Sequence, residues 1–173
     1  IHEQGYTVVE QFISGDMIES IRNAFDTEVP ITEMRFLGST TGNTWRAHNL
    51  LAKTRAVDGL LLDARLRAIV EGVIGQYCQI NITTLFNTLP GEYQQDLHQD
   101  DGLWPIPRPH PSFLCNLLIA MDDFTIENGA TEIWPATHRQ VDRSPNEIAT
   151  LRIPPEQYSD RKSVQTAMSA GSI

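Results

Sequence analysis

The periodicity of the apolar residues changes near Gly75, and this change constrains the fold more than any other feature of the chain. Before Gly75, two stretches space their apolar residues as helices do, one after Ser14 that ends before Pro30 and one over 58–74. After it come short apolar or alternating runs separated by turn residues, as β-strands are. The order predicts an α+β protein, mainly β, with N-terminal helices flanking a sandwich or barrel.

Strands are expected wherever a run is β-branched, alternating or continuously apolar. These runs are 6–12, 79–87, the segment that carries His98, 113–121, 130–134 and 164–168. The run 113–121 is apolar enough to be a strand buried on both faces. Residues 32–46 and 139–162 lack such a pattern and are expected to form loops.

The composition narrows the function classes. With 13 basic and 22 acidic residues the net charge is −9, which argues against a nucleic-acid backbone or an anionic membrane as partner. The 173 residues suit one domain, and no apolar run reaches the ~18 residues of a membrane span. No secretory leader opens the chain, so we expect a cytoplasmic location. Cys78 and Cys115 are then expected to be buried free thiols.

The stretch 95–107 gives the clearest indication of a functional site, because His98 and Asp100 stand two positions apart in a predicted strand. Alternate residues of a strand face the same way, so an imidazole nitrogen and a carboxylate oxygen can bind one small cation. A second histidine from a neighbouring strand would complete the two-histidine, one-carboxylate set that binds iron(II) with one side open. This spacing alone leaves open an ordinary hydrogen bond between His98 and Asp100.

A second motif stands downstream of this pair. Residues 95–100 read Gln-Asp-Leu-His-Gln-Asp, and residues 127–139 read Glu-Asn-Gly-Ala-Thr-Glu-Ile-Trp-Pro-Ala-Thr-His-Arg. On these motifs the chain resembles the phytanoyl-CoA dioxygenase (PhyH-like) family of iron(II)- and 2-oxoglutarate-dependent oxygenases, and the lead-in before them is similar too. The family pattern has Gly-Ser where this chain has Ala136-Thr137, a change that affects a turn and no ligand.

The resemblance implies a fold and a set of cofactors. Residues 1–173 would form one oxygenase domain, with a lead-in over 1–75 and a double-stranded β-helix, the cupin-like jelly roll, over 76–173. His98 and Asp100 would lie at the mouth of the barrel and bind Fe(II), with 2-oxoglutarate and O2 as cosubstrates. Related halogenases lack the carboxylate, so Asp100 favours hydroxylation or a related oxidation.

The resemblance also implies cosubstrate contacts. Gln95 and Thr131 match family positions that contact 2-oxoglutarate, and an amide and a hydroxyl can hydrogen-bond a carboxylate without adding charge. A solvated edge residue and an ordinary strand threonine are the alternatives for these two positions. Arg46 lies in a segment where some members place a cosubstrate contact, and a surface arginine is an equal interpretation.

The third iron ligand is not evident from the sequence. None of the other histidines, His2, His48, His110 and His138, stands where the family places it. In the family the distal histidine follows a segment much like 170–173, and an arginine that pairs with 2-oxoglutarate lies further on. We therefore expect the last strands to be missing from this chain, which is then either a fragment of a longer enzyme or a shortened relative without catalysis. The fragment is favoured, because a barrel without those strands exposes open edges.

Trp104 and Arg108 follow the metal motif in a proline-rich loop, and such loops often carry specificity. We expect them to face a small-molecule substrate, while a stiff surface loop with one packed aromatic ring is the alternative. The sequence thus predicts a dioxygenase that hydroxylates or otherwise oxidises a small metabolite. A non-catalytic cupin-like metal- or ligand-binding module and a purely structural domain are the rival hypotheses.

Overall fold

The computed structural model describes residues 1–29, 35–36, 41–140 and 153–173. Its helices and strands in chain order are α1 (Gly15–Glu28), β1 (Arg35–Phe36), β2 (Thr44–His48), α2 (Asp58–Leu61), α3 (Ala64–Ile74), β3 (Thr84–Thr88), β4 (Glu132–Ile133) and β5 (Val164–Gln165). Strands β1, β2 and β3 form an antiparallel sheet in that order, and β4 pairs with β5 in a second sheet. The middle of the predicted loop 139–162 lies outside the described residues.

Helix α1 begins and ends where the sequence predicts. The Ser14 hydroxyl accepts a hydrogen bond from the Met17 amide at 3.3 Å and so caps the first turn. Ile18 and Ile21 are buried on the face that packs into the protein. Val29 follows the last turn as its C-cap and is also buried.

The second predicted helix is divided into α2 and α3. The break lies at Leu62 and Asp63, where the Asp63 carboxylate accepts from the Arg65 amide at 2.8 Å and begins α3 anew. Leu62, expected on the buried face, is 82% exposed because it stands in this break. Helix α3 ends before Gly75, whose φ of +88° suits glycine and confirms the predicted stop.

The three-stranded sheet has two different faces. On one face Ala47 and Leu85 pack with Val29 in a buried cluster behind α1. On the other face Arg46 stands opposite Phe86 in the β2–β3 register. The loop predicted over 32–46 is wrong here, because β2 begins at Thr44 and pairs along its whole length. The strand predicted over 79–87 is confirmed only from Thr84 onward.

Several predicted strands lie in extended backbone without a continuous ladder. Residues 6–12 form no strand, although Val9 and Ile173 exchange two backbone hydrogen bonds of 2.8 and 3.1 Å. The run 113–121 is not a buried strand, since Leu118 is 44% exposed. The strands predicted over 130–134 and 164–168 shorten to β4 and β5. The two sheets are short, and the double-stranded β-helix remains a prediction.

The main core joins the two ends of the chain. Phe12, Ile13 and Ile18 pack with α2, α3 and Ile173, and Leu117 lies against the same cluster. Across the described ranges no helix is long and apolar enough to span a membrane. This core orients the segment 113–121 beside the motif that carries His98.

The two cysteines differ in environment. Cys78 is exposed and Cys115 is half-buried, and both are free thiols. The prediction that both are buried is therefore wrong for Cys78. Burial raises the pKa of the Cys115 thiol, and the neighbouring Cys78 adds to the effect.

We expect Gly171→Ala to lower the free energy of unfolding by about 2–4 kcal/mol. The residue has a φ of +87°, and an added Cβ would lie 2.7 Å from the Ile13 carbonyl oxygen. Gly129 has the same φ with open space around it, so Gly129→Ala should cost only about 1 kcal/mol. Urea unfolding of the two variants measures the difference, and equal losses would contradict the steric argument.

The cap of α3 should make stability depend on pH. Hydrogen bonds from the Arg65 side chain and amide lower the pKa of Asp63 from 3.8 to about 2. Because the pKa of Asp63 is lower in the folded than in the unfolded protein, its charge stabilises the fold at pH values above the unfolded pKa of 3.8. This stabilisation is lost as the pH falls toward the folded pKa of about 2. Asp63→Asn keeps the capping oxygen without the charge, so its difference in Tm from the wild type should shrink between about pH 4 and pH 2. A difference that stays constant would count against the carboxylate.

Candidate metal centre

His98 and Asp100 converge although neither lies in a regular strand. His98 makes an isolated bridge, and the preceding carbonyl of Leu97 accepts from the Ile153 amide at 2.8 Å. Asp100 opens a short 3-10 helix, Asp100–Leu103. The two side chains turn toward each other, with 3.5 Å between His98 Nε2 and Asp100 Oδ1. The local structure differs from the predicted strand, and the two side chains lie side by side.

The distance between the two atoms can be compared with two interpretations of the pair, a hydrogen bond and a shared cation. A hydrogen bond between nitrogen and oxygen is usually about 2.7–3.2 Å long, so 3.5 Å is long for one. Two adjacent ligands of an octahedral ion, with bonds of about 2.1 Å at right angles, lie about 3 Å apart. Both side chains are also partly exposed, at 36% and 51%. The observed 3.5 Å is longer than both distances, so the two partly exposed donors would move about half an ångström closer to hold one small cation.

The backbone fixes which nitrogen of His98 is available. His98 Nδ1 lies 2.7 Å from the carbonyl oxygen of Asp96 and can only donate to it. In the neutral ring this leaves Nε2, the atom beside Asp100, as the nitrogen with a free lone pair. Metal-bound histidines in proteins are usually oriented by such a hydrogen bond from the other nitrogen.

Asn116 holds the other oxygen of the carboxylate. The Asn116 Nδ2 donates to Asp100 Oδ2, while Asp100 Oδ1 faces His98. Asn116 is not among the site residues predicted from the sequence. The signal was present, because Asn116 is the sole polar residue in the otherwise apolar run 113–121.

No third ligand joins the pair within the part of the chain that the structure describes, where no group of three His, Cys, Asp or Glu side chains could hold a metal. The remaining histidines make other contacts. His48 Nδ1 lies 3.0 Å from Thr84 Oγ1, His110 Nε2 lies 3.4 Å from Asp101, and His138 Nε2 lies 3.2 Å from the His2 carbonyl oxygen.

The two predicted cosubstrate residues lie on neighbouring segments. The Gln94 side chain donates to the Glu132 carboxylate, and this bond joins the segments that carry Gln95 and Thr131. Both residues are exposed. The Thr131 carbonyl accepts from the amide and the hydroxyl of Thr166, each at 2.9 Å. These backbone bonds position Thr131, and its own hydroxyl is on the surface.

The loop that follows the metal motif is folded onto itself. Arg108 forms an ion pair with Asp101, and its side chain is only 8% exposed. Trp104 packs edge-to-face on Phe113 at 5.6 Å between ring centres and stays 37% exposed. The contacts of Arg108 do not support the substrate role predicted for it, because its guanidinium anchors the loop. The Trp104 ring is thus packed on one side, as expected for a stiff surface loop, and exposed on the other, as expected for a residue that faces a substrate.

Arg46 lies on the open face of the first sheet. Its guanidinium stacks over the Phe86 ring at 4.4 Å, and its Nε is buried without a hydrogen-bond partner among the described residues. Burial lowers the pKa of this side chain. On the same sheet a groove of about 330 Å³ runs between His48 and residues 80–83. The groove does not include His98 or Asp100.

Comparison with known proteins identifies the family. The phytanoyl-CoA dioxygenase (PhyH) family model matches residues 1–173, so the chain belongs to this family. Dioxygenase olcK of Penicillium canescens is 26% identical over 172 residues, covering 90% of this chain and 57% of that protein. Iron/alpha-ketoglutarate-dependent dioxygenase ausU of Aspergillus calidoustus is 25% identical over 165 residues, covering 88% and 56%. The chain spans a little over half the length of these relatives.

A solved structure shares the fold. HygX from Streptomyces hygroscopicus, crystallised with nickel, 2-oxoglutarate and hygromycin B, matches with a TM-score of 0.65 and 14% identity. The match covers 99% of this chain and 72% of HygX. The predicted resemblance to the family is confirmed. The roles of the individual site residues remain predictions.

We expect nitrogen-detected NMR of the metal-free protein at about pH 8 to show His98 as the Nδ1–H tautomer, because Nδ1 donates to the Asp96 carbonyl. His2, an exposed histidine, serves as the reference for an unconstrained ring. An Nε2–H tautomer at His98 would mean that Nε2 is not prepared to bind a cation.

Proposed function

We propose that the full protein is an iron(II)- and 2-oxoglutarate-dependent dioxygenase that acts on a small molecule. The observation that carries the proposal is the pair His98 Nε2 and Asp100 Oδ1, 3.5 Å apart, with the other histidine nitrogen held by a backbone carbonyl. This donor set suits two of the three protein ligands of an iron(II) centre. When bound, iron, 2-oxoglutarate and O2 would together supply the oxidant that removes hydrogen from an unactivated carbon.

The comparisons support the same reaction class. One relative is named as an iron- and alpha-ketoglutarate-dependent dioxygenase, and HygX binds nickel and 2-oxoglutarate in its crystal structure. Nickel is a divalent ion of similar ligand preference that can occupy an iron site. The presence of Asp100 favours hydroxylation or a related oxidation in this chain.

The cosubstrate would be held by neutral and cationic groups. Gln95 and Thr131 lie on segments joined by the Gln94–Glu132 hydrogen bond, and both side chains are exposed for a ligand. Their amide and hydroxyl can donate to a carboxylate. Arg46 has a buried Nε without a partner among the described residues, and a carboxylate would satisfy that donor.

The substrate surface is expected to be partly apolar. Leu103 stands three residues after Asp100 in a 3-10 helix, where side chains at this spacing share one face. It is 66% exposed, and Trp104 beside it keeps an exposed face. We propose that these side chains contact an apolar part of a small-molecule substrate and help to keep water from the reacting carbon. No nucleic acid or membrane is proposed as a partner.

The test is an anaerobic titration of Fe(II) and 2-oxoglutarate into the full-length protein. We expect the visible charge-transfer band of an iron-bound keto acid. His98→Ala and Asp100→Ala should each abolish the band, because each removes one of the donors of the pair. His2→Ala, which replaces an exposed histidine away from the pair, is the matched control and should leave the band unchanged.

Turnover separates the enzyme from a binding module. With O2 admitted, a panel of small molecules should include one that raises succinate release above the uncoupled background. A band without any oxygen-dependent consumption of 2-oxoglutarate would instead favour the non-catalytic metal- or ligand-binding module. No band in the full-length protein would refute the proposed function.

A further inference from the structure

We infer that Asn116 is a positioning residue of the metal centre, which holds one oxygen of Asp100 so that only the other is presented beside His98. The inference rests on the proposed function. Asn116 Nδ2 donates to Asp100 Oδ2, and Asp100 Oδ1 lies 3.5 Å from His98 Nε2. The two carboxylate oxygens therefore have separate partners.

This division matters because a carboxylate can bind a metal through one oxygen or through both. An octahedral ion with two histidine nitrogens and one carboxylate oxygen keeps three positions open. A keto acid that chelates needs two of them, and O2 needs the third. A second bond from Asp100 would occupy one of these positions. The Asn116 amide engages Oδ2 and so opposes that second bond.

The chemistry of the asparagine suits this role. A lysine or arginine in its place would neutralise the carboxylate and compete with the cation for its charge. The amide donates a hydrogen bond without charge, so Asp100 keeps its attraction for a metal ion.

The position of Asn116 is fixed by its neighbour. Leu117 packs against the main core cluster. Adjacent side chains of an extended segment point to opposite sides, so the burial of Leu117 directs Asn116 outward, toward Asp100. This accounts for a lone polar residue in the run 113–121.

The test uses Asn116→Leu, which keeps the approximate shape and removes the donor, and Asn116→Gln, which keeps the amide on a longer side chain. Asn87→Leu, at an exposed asparagine of β3, is the matched control. The affinity of the full-length protein for Mn(II) with 2-oxoglutarate present is measured from the loss of the free Mn(II) EPR signal. The visible spectrum of bound Co(II) reports the coordination number, and a change in folding alone would not alter it.

We expect Asn116→Leu to weaken Mn(II) binding about 10-fold and to change the Co(II) spectrum. Asn116→Gln should recover most of the affinity, and Asn87→Leu should match the wild type. Asn116→Ala repeats the test without added apolar bulk if leucine perturbs folding.

Wild-type affinity and spectrum in both Asn116→Leu and Asn116→Ala would overturn the positioning role while leaving the proposed function intact. A wild-type protein that binds neither Mn(II) nor Co(II) with 2-oxoglutarate would overturn both proposals. A lower Tm in the Asn116 variants with unchanged metal affinity would show that the contact serves only the fold.

Discussion

Backbone hydrogen bonds of the segment 168–173 connect the parts of the fold that carry the site. The Gly171 amide donates to the Ala120 carbonyl at 2.8 Å, and the Gly171 carbonyl accepts from the Ile13 amide at 3.0 Å. Gly171 thus lies between the entry to α1 and the run 113–121, where no side chain would fit. Because this pairing sets the position of the run, it also sets the position of Asn116. The Asn116 side chain that donates to the Asp100 carboxylate thus lies on a segment that Gly171, remote in sequence, helps to position.

The adjacent carboxylates Asp100 and Asp101 take different partners, and the difference explains how one of them can be a metal ligand. Asp101 forms an ion pair with Arg108, which balances its charge, and the His110 ring lies 3.4 Å from its other oxygen. Among the described residues, Asp100 contacts the neutral Asn116 amide and one edge of the His98 ring. Since a carboxylate engaged by a cation binds a metal less strongly, the charge left without such a partner is the one at Asp100. Arg108 thus anchors the loop that follows the motif of His98 and Asp100.

The parts of the fold that local signals determine could be predicted from the sequence. The Ser14 cap and the stop at Gly75 place the helix ends, because capping involves residues a few positions apart. The break at Asp63 is also a local signal, because an aspartate before a helical run is a typical N-cap. Strands depend on partners far along the chain, so a run such as 113–121 can be extended and apolar without forming a ladder.

Part of the candidate site could be predicted from the sequence, and there is a physical reason why the rest could not. His98 and Asp100 could be predicted to lie close together because their spacing is visible in the sequence, even though the backbone there is a bridge and a 3-10 helix. Arg108 and Asn116 could not be assigned in that way, because their roles depend on which group lies opposite them. An arginine in a loop has the same sequence signature whether it faces a substrate or an internal carboxylate. A lone polar residue in an apolar run marks the side of the run that faces away from the core, but the sequence does not name the group that lies opposite it.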